Sequence, residues 1–298
     1  MIDSGPGGPG RRAFLRGAGA ATGLAVLSAC SRKAGQAPAG ARASTTVAAA
    51  NWAALAKDLS GPLVRPGASS YLDDLRLFDP RFDDLRPAGI AYCHSAHDVA
   101  TCLSFARRFG VPVAPRCGGH SYAGWSSTTG LIVDVTSMSS VQVDSGSGTA
   151  TVGAGTRLID FYHGLAAYDR AVPGGSCPTV GISGLTLGGG VGVVSRAYGL
   201  TSDNLVQAQV VTADGQFRTC DSDRNPDLFW ACRGGGGGNF GVATSFTFTT
   251  HPISGIVLFF LSWPWSQADQ VIAAWQSWAP HGPDQLWSNL HLAAQAGA

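Results

Sequence analysis

Charge is scarce in this sequence. Lys and Arg number 20 and Asp and Glu 19 in 298 residues, so the formal net charge is only +1. Nothing clusters into a basic patch, which excludes a nucleic-acid partner that needs grouped Lys and Arg for its phosphates. Beyond the N-terminal segment no apolar run reaches the ~20 residues of a membrane-spanning helix. His94 and His97 lie close together, but a pair of imidazoles does not complete a metal site, and no metal is expected. What is present in quantity is glycine, 41 residues, and apolar side chains, 45% of the chain. That is enough core for one or two domains.

Residues 1–30 read as a targeting segment and are set aside from the fold. Arg11-Arg12-Ala13-Phe14-Leu15-Arg16 has the form of a twin-arginine signal, followed by a short, weakly apolar stretch. Leu27-Ser28-Ala29-Cys30 resembles a bacterial lipobox, with lipid on the Cys30 thiol. The alternative is an ordinary signal peptide with a chance cysteine. The expectation is export by the twin-arginine route, to an extracellular site or to the outer face of a membrane as a lipoprotein. Residues 31–50, rich in Ala, Gly, Ser and Thr, read as a flexible linker.

From residue 51 to 252 the pattern alternates short helices and strands. Residues 51–59 have helical spacing and stop at Gly61-Pro62. Residues 71–82 read as irregular. Residues 90–93 form a strand. Ser95 and Asp98 have the spacing of a capping box, opening a helix to Arg108 that stops at Gly110. Residues 111–114 and 131–135 are further strands. Residues 141–144 and 149–152 form a hairpin, and a helix runs from 157 to 167. Gly190-Val191-Gly192 with Ser195 and the distant Asp214 partly imitates a dinucleotide fingerprint. No strand precedes it, and Ala213-Asp214-Gly215 reads as a hairpin turn between residues 206–212 and 216–219. A nicotinamide site is therefore rejected. Residues 242–249 form a strand. After His251-Pro252 the expectation is an apolar strand over 256–265 and a helix over 268–278 with Val271, Ile272, Trp275 and Trp278 on one side. A further strand would begin at 287–292.

Three glycine-rich stretches stand out. The first is Arg116-Cys117-Gly118-Gly119-His120-Ser121-Tyr122, where paired glycines expose consecutive N–H groups that can cradle an anion. The second contains Gly175-Ser176-Cys177-Pro178-Thr179-Val180-Gly181-Ile182-Ser183-Gly184 and runs on to Gly188-Gly189-Gly190. The third runs from Asp227-Leu228-Phe229-Trp230 to Gly238-Asn239-Phe240-Gly241. Together they resemble the berberine-bridge-enzyme-like branch of the vanillyl-alcohol-oxidase flavoproteins, which carry R-x-G-G-H and G-x-C-x-x-V-G-x-x-G.

The resemblance implies an α+β fold: a PCMH-type two-subdomain FAD-binding domain over 51–252, then the start of an antiparallel-sheet substrate domain over 253–298. It implies bicovalent FAD, with His120 on the 8α-methyl and Cys177 on carbon 6. The implied cofactor-binding set adds Arg116, Cys117, Gly118, Gly119, Ser121, Val180, Gly181, Gly184, Gly188, Gly189, Gly190, Asn204, Gly238 and Asn239. Arg116 is expected to hold phosphate beside His120. Arg196-Ala197-Tyr198-Gly199-Leu200 resembles a family segment that places Tyr198 near the reactive face of the flavin, and Tyr122 has a similar placement. Both are assisting groups; the main base is expected beyond residue 298, since relatives carry much more substrate domain and the chain reads as a fragment or truncated product.

The implied activity is oxidation of an alcohol group on a sugar, an oligosaccharide or a secondary metabolite. A small Val180 favours dioxygen as acceptor. The alternatives are a dehydrogenase with another acceptor and a non-catalytic flavin-binding surface lipoprotein. Cys93, Cys102, Cys117, Cys220 and Cys232 could include disulfides, with Cys117 left free.

Overall fold

The computed structural model describes residues 47–293. The N-terminal expectations up to residue 46, Cys30 among them, lie outside these residues, and the last two residues of the expected linker, 49–50, are helical instead. The first helix, α1 (Ala49–Asp58), buries Trp52 and Leu55. Trp52 packs on Phe105 with ring centroids 4.7 Å apart. β1 (Leu63–Val64) and a one-turn helix α2 (Tyr71–Asp74) follow. With a short 3₁₀ turn at Pro80–Phe82, α2 gives more order to 71–82 than its sequence suggested.

β2 (Gly89–Tyr92) leads into α3 (Ala96–Phe109). The entry to α3 is set locally: Ser95 accepts from the Asp98 amide while the Asp98 side chain accepts from the Ser95 amide. Its exit is set by Gly110 at φ 66°, the left-handed region in which a Cβ is strained. β3 (Val113–Arg116) and β4 (Leu131–Asp134) complete a four-stranded sheet of order β1-β2-β4-β3. β4 pairs in parallel with both neighbours, and all four of its residues are buried. A parallel strand covered on both faces reads as a continuous apolar run, as Leu-Ile-Val does here.

β5 (Val141–Asp144) and β6 (Thr149–Gly153) form the expected hairpin. Next come α4 (Leu158–Ala166), β7 (Arg170–Ala171), α5 (Ile182–Leu187) and α6 (Ser195–Tyr198). β8 (Leu205–Val211) and β9 (Phe217–Cys220) turn at Gly215, as the rejection of a dinucleotide motif required. After α7 (Pro226–Cys232), β10 (Val242–Thr249) enters between β6 and β8. The antiparallel second sheet thus has the order β5-β6-β10-β8-β9. β10 alternates: Phe246 and Phe248 are fully buried, and Ser245, Thr247 and Thr249 take the other face. Phe161 of α4 meets Phe248 with centroids 5.8 Å apart. The fold is α+β.

β11 (His251–Pro252) pairs with β7, and α8 (Ala268–Trp278) forms at the expected bounds. Two expectations fail in this region. Residues 256–265 are not a strand, and Val257 and Phe260 are 88% and 89% exposed. Residues 287–292 are not a strand either. Apolar composition favours a strand only where a neighbouring strand takes up its N–H and C=O groups. No described residue pairs with either segment. Among the described residues no helix is long and apolar enough to cross a membrane.

Candidate functional site

The site starts where β3 ends. Arg116 and Asp134 are register partners, and the guanidinium Nε lies 2.6 Å from the carboxylate with both side chains buried. Arg116 Nη1 also donates to the Asp74 carbonyl at 2.8 Å. These bonds turn Nε and Nη1 of the expected phosphate-holding Arg116 toward protein partners. Thr136 continues the lattice, its amide donating to Asp134 and its hydroxyl to the Cys117 carbonyl.

At Gly118 two loops meet backbone to backbone. A Cβ there would lie 2.4 Å from both the Gly181 nitrogen and the Thr179 carbonyl oxygen, so only glycine permits the approach. Cys117 is turned inward against Gly181. Burial is the main cause that pushes its thiol up to about 12.

His120 emerges on the other side of this junction. Its ring stacks on Phe78, centroids 4.1 Å apart and planes 18° from parallel. The Phe78 amide donates to the Gly119 carbonyl, which ties the two residues together. His120 Nε2 is 2.8 Å from Thr179 Oγ1. Burial, and then the charge of Arg157, holds the imidazole below its ordinary pKa. Thr179 is two residues past Cys177, whose thiol is exposed. The structure therefore brings together the two loops that carry His120 and Cys177. Val180, half-buried beside them, packs against the core.

The second loop runs into α5. There Thr186 Oγ1 is fully buried with no hydrogen-bond partner among the described residues. A Cβ at Gly184 would meet nothing within 4 Å. The third glycine stretch closes on the same place. The Gly236 amide donates to the Leu187 carbonyl of α5, and a Cβ at Gly238 would lie 2.9 Å from Pro115 of β3. Asn239 bonds back to the Gly235 carbonyl. Gly188 caps α5, and the carbonyls of Gly189 and Gly190 accept from Ser202 and Thr201.

Other expected residues form a separate group. Asn204 donates to the carbonyls of Tyr198 and Leu200 and lies 2.6 Å from His251 Nε2. The buried amide of this expected cofactor residue holds the 198–204 turn. Tyr198 stacks on His251, centroids 4.0 Å apart. Tyr122 is 76% exposed. The Ser121 hydroxyl accepts from the Trp125 amide.

All six described cysteines are thiols, which corrects the expectation of disulfides. Cys93 and Cys102 are in contact at 4.0 Å, well beyond the ~2.05 Å of a bond. Among the described residues no group of three or more His, Cys, Asp and Glu is placed to hold a metal ion. Sequence reasoning missed Phe78, Thr179 and Thr186. Thr179 was in view as a variable place in the cysteine motif; Phe78 carries no local signal.

A family model described as an FAD binding domain matches residues 87–221, the span that holds the His120 and Cys177 loops. This chain carries an FAD-binding domain, and the proteins it resembles are FAD-linked oxidoreductases, berberine-bridge-enzyme-like ones among them. It is 40% identical over 242 residues to an uncharacterized FAD-linked oxidoreductase of Bacillus subtilis, covering 78% of this chain and 53% of that protein. The solved structure of BBE-like 1 from Physcomitrella patens is similar with a TM-score of 0.65 at 35% identity, over 69% of this chain and 45% of that one. Glucooligosaccharide oxidase from Acremonium strictum, whose structure is described as containing a 6-S-cysteinyl, 8α-N1-histidyl FAD, gives a TM-score of 0.63 at 33% identity, over 68% and 42%. The chain thus spans about half the length of the proteins it matches.

The site fits that cofactor on its own geometry. It offers an orphaned buried hydroxyl, open space over Gly184, and an imidazole and a free thiol on adjoining loops.

Proposed function

We propose that this chain is the flavin-holding part of an exported oxidase, with FAD attached through both His120 and Cys177. In this reading residues 51–252 are the FAD-binding domain and 253–298 open the substrate domain. The bound flavin supplies the hydride acceptor; the protein supplies position and electrostatics. His120 and Cys177 tether the ring. Gly118, Gly181 and Gly238 keep the three loops close enough to enclose it. Thr186 offers an unpaired hydroxyl to a polar atom of the cofactor. The substrate is an alcohol group on a sugar, an oligosaccharide or a secondary metabolite. The likeness to glucooligosaccharide oxidase supports the carbohydrate class. Val180 beside the tether loop supports dioxygen as acceptor, giving hydrogen peroxide. Export by the twin-arginine route, with an anchor at Cys30, rests on the N-terminal sequence.

The observation that carries this reading is the meeting of the His120 and Cys177 loops at Gly118. Acid precipitation of the purified protein tests it. A yellow pellet from the parent and from each of His120→Ala and Cys177→Ala, with flavin released from the double variant, is the expected result. A colourless pellet with yellow supernatant overturns the tethers while keeping the cofactor. Oxygen consumption against dye reduction separates an oxidase from a dehydrogenase.

A further inference from the structure

We infer that Thr179 is a positioning residue that decides which nitrogen of His120 takes the flavin, by holding Nε2 and leaving Nδ1 to attack. The inference rests on the reading of His120 as an attachment residue. A neutral imidazole has one N–H and one lone pair, and the partner of one nitrogen sets the role of the other. Here Nε2 faces Thr179 Oγ1 at 2.8 Å, and Nδ1 has no hydrogen-bond partner among the described residues. Thr179 Oγ1 has no second hydrogen bond among them, so the hydroxyl is free to accept the Nε2 proton. The stacked Phe78 ring resists the flip that would exchange the two nitrogens. Burial and the Arg157 charge favour the neutral imidazole that the step needs.

The step balances. Nδ1 forms a bond to the 8α-carbon as one C–H bond of that methyl breaks. That hydrogen and the one leaving Nε2 end on the flavin with the released electron pair, so the tethered flavin is two-electron reduced. Dioxygen then takes two electrons and two protons and leaves as hydrogen peroxide. Thr179 serves both ends of the change. It accepts from Nε2–H beforehand and donates its own O–H to the bare Nε2 afterwards.

The test uses the full chain carrying Cys177→Ala, so that His120 is the sole tether. Thr179→Val removes the hydroxyl and keeps the shape; Thr179→Ser restores the hydroxyl. Thr179 is exposed, so neither change threatens the fold. Two quantities are read: the ¹⁵N shifts of His120 in flavin-free protein, and the rate at which added FAD becomes acid-stable. The proposal expects the Nε2–H tautomer in the parent and in Thr179→Ser. In Thr179→Val it expects mixed tautomers, about tenfold slower attachment, and some flavin on Nε2. Attachment at equal rates through Nδ1 in parent and Thr179→Val, or an Nδ1–H tautomer in the parent, overturns the proposal alone. Absence of any covalent flavin on the Cys177→Ala parent overturns the tether reading and the proposal with it.

Discussion

The guanidinium of Arg116 closes on the carboxylate of Asp134 at 2.6 Å, where parallel β3 and β4 end side by side. The pair is 5% and 3% exposed, so neither charge has water to fall back on. Removing one partner strands the other, at a cost of about 3–5 kcal/mol. Arg116→Met and Asp134→Leu alone should each lower the unfolding free energy read from urea melts by that much. The double variant should recover a large part of the loss. Independent, additive losses would mean that the pair is not coupled.

Asp98 should govern part of the acid stability. Burial alone would raise its carboxyl, but hydrogen bonds from Ser60, His94 and Ser95 outweigh burial and hold it below the usual carboxylate range. A depressed folded pKa gives stability that is complete above the unfolded value of about 3.9 and is lost as pH falls through the folded one. Asp98→Asn should therefore lose stability at neutral pH and show a flatter decline below about pH 4. Denaturant melts at several pH values read this directly; an unchanged acid limb would count against it.

Two glycine substitutions should part company. Gly118→Ala forces a Cβ into backbone atoms 2.4 Å away, and overpacking of this kind costs about 1–3 kcal/mol. It should lower both the melting temperature and the flavin content. Gly184→Ala meets open space inside α5, where Ala is favoured over Gly by about 0.5–1 kcal/mol. The flavin-free protein should then be as stable as the parent or more so, while flavin content falls because the methyl enters the cofactor's space. Unchanged flavin content in Gly184→Ala would place the cofactor elsewhere.

Alkylation should distinguish the cysteines. Cys177 is the exposed thiol among the six described. Cys117 is pushed up to about 12, chiefly by burial. Cys93 is driven far up by its hydrogen bond with Cys102 and by burial. Thiolate is the reactive form. Iodoacetamide followed by peptide mapping should label Cys177 first in flavin-free protein, and leave it unlabelled once flavin is attached. Early label on Cys117 would contradict the packing of the loop junction.

What the sequence disclosed was mostly what neighbouring residues decide. The capping of α3 by Ser95 and Asp98, its stop at Gly110 and the turn at Gly215 depend on a few adjacent positions. Strand β10 was legible because its alternation is internal to it. What the sequence did not disclose has a different cause. Arg116 sits in a motif that suggests a phosphate ligand, and its bond to Asp134, 18 residues away on another strand, leaves no local trace. Asn204 bonds to His251 across 47 residues, a contact that its local motif does not record. Residues 256–265 have a strand's composition, but pairing decides whether an apolar run becomes a strand. Phe78 and Thr179 matter only through their contacts with His120, which no local pattern records.

The position of β10 sets an order of events during synthesis. The first sheet uses residues 63–134 and is complete in sequence once Asp134 has left the ribosome. The second has its last-made long strand at its centre, between β6 and β8. Until residues 242–249 arrive, the β5–β6 and β8–β9 hairpins have no shared neighbour, and the buried faces of Phe161 and Ala208 lack Phe246 and Phe248. The nascent chain thus has one sheet complete in sequence for more than 100 residues before the other gains its central strand, and the core that both sheets share can close only then.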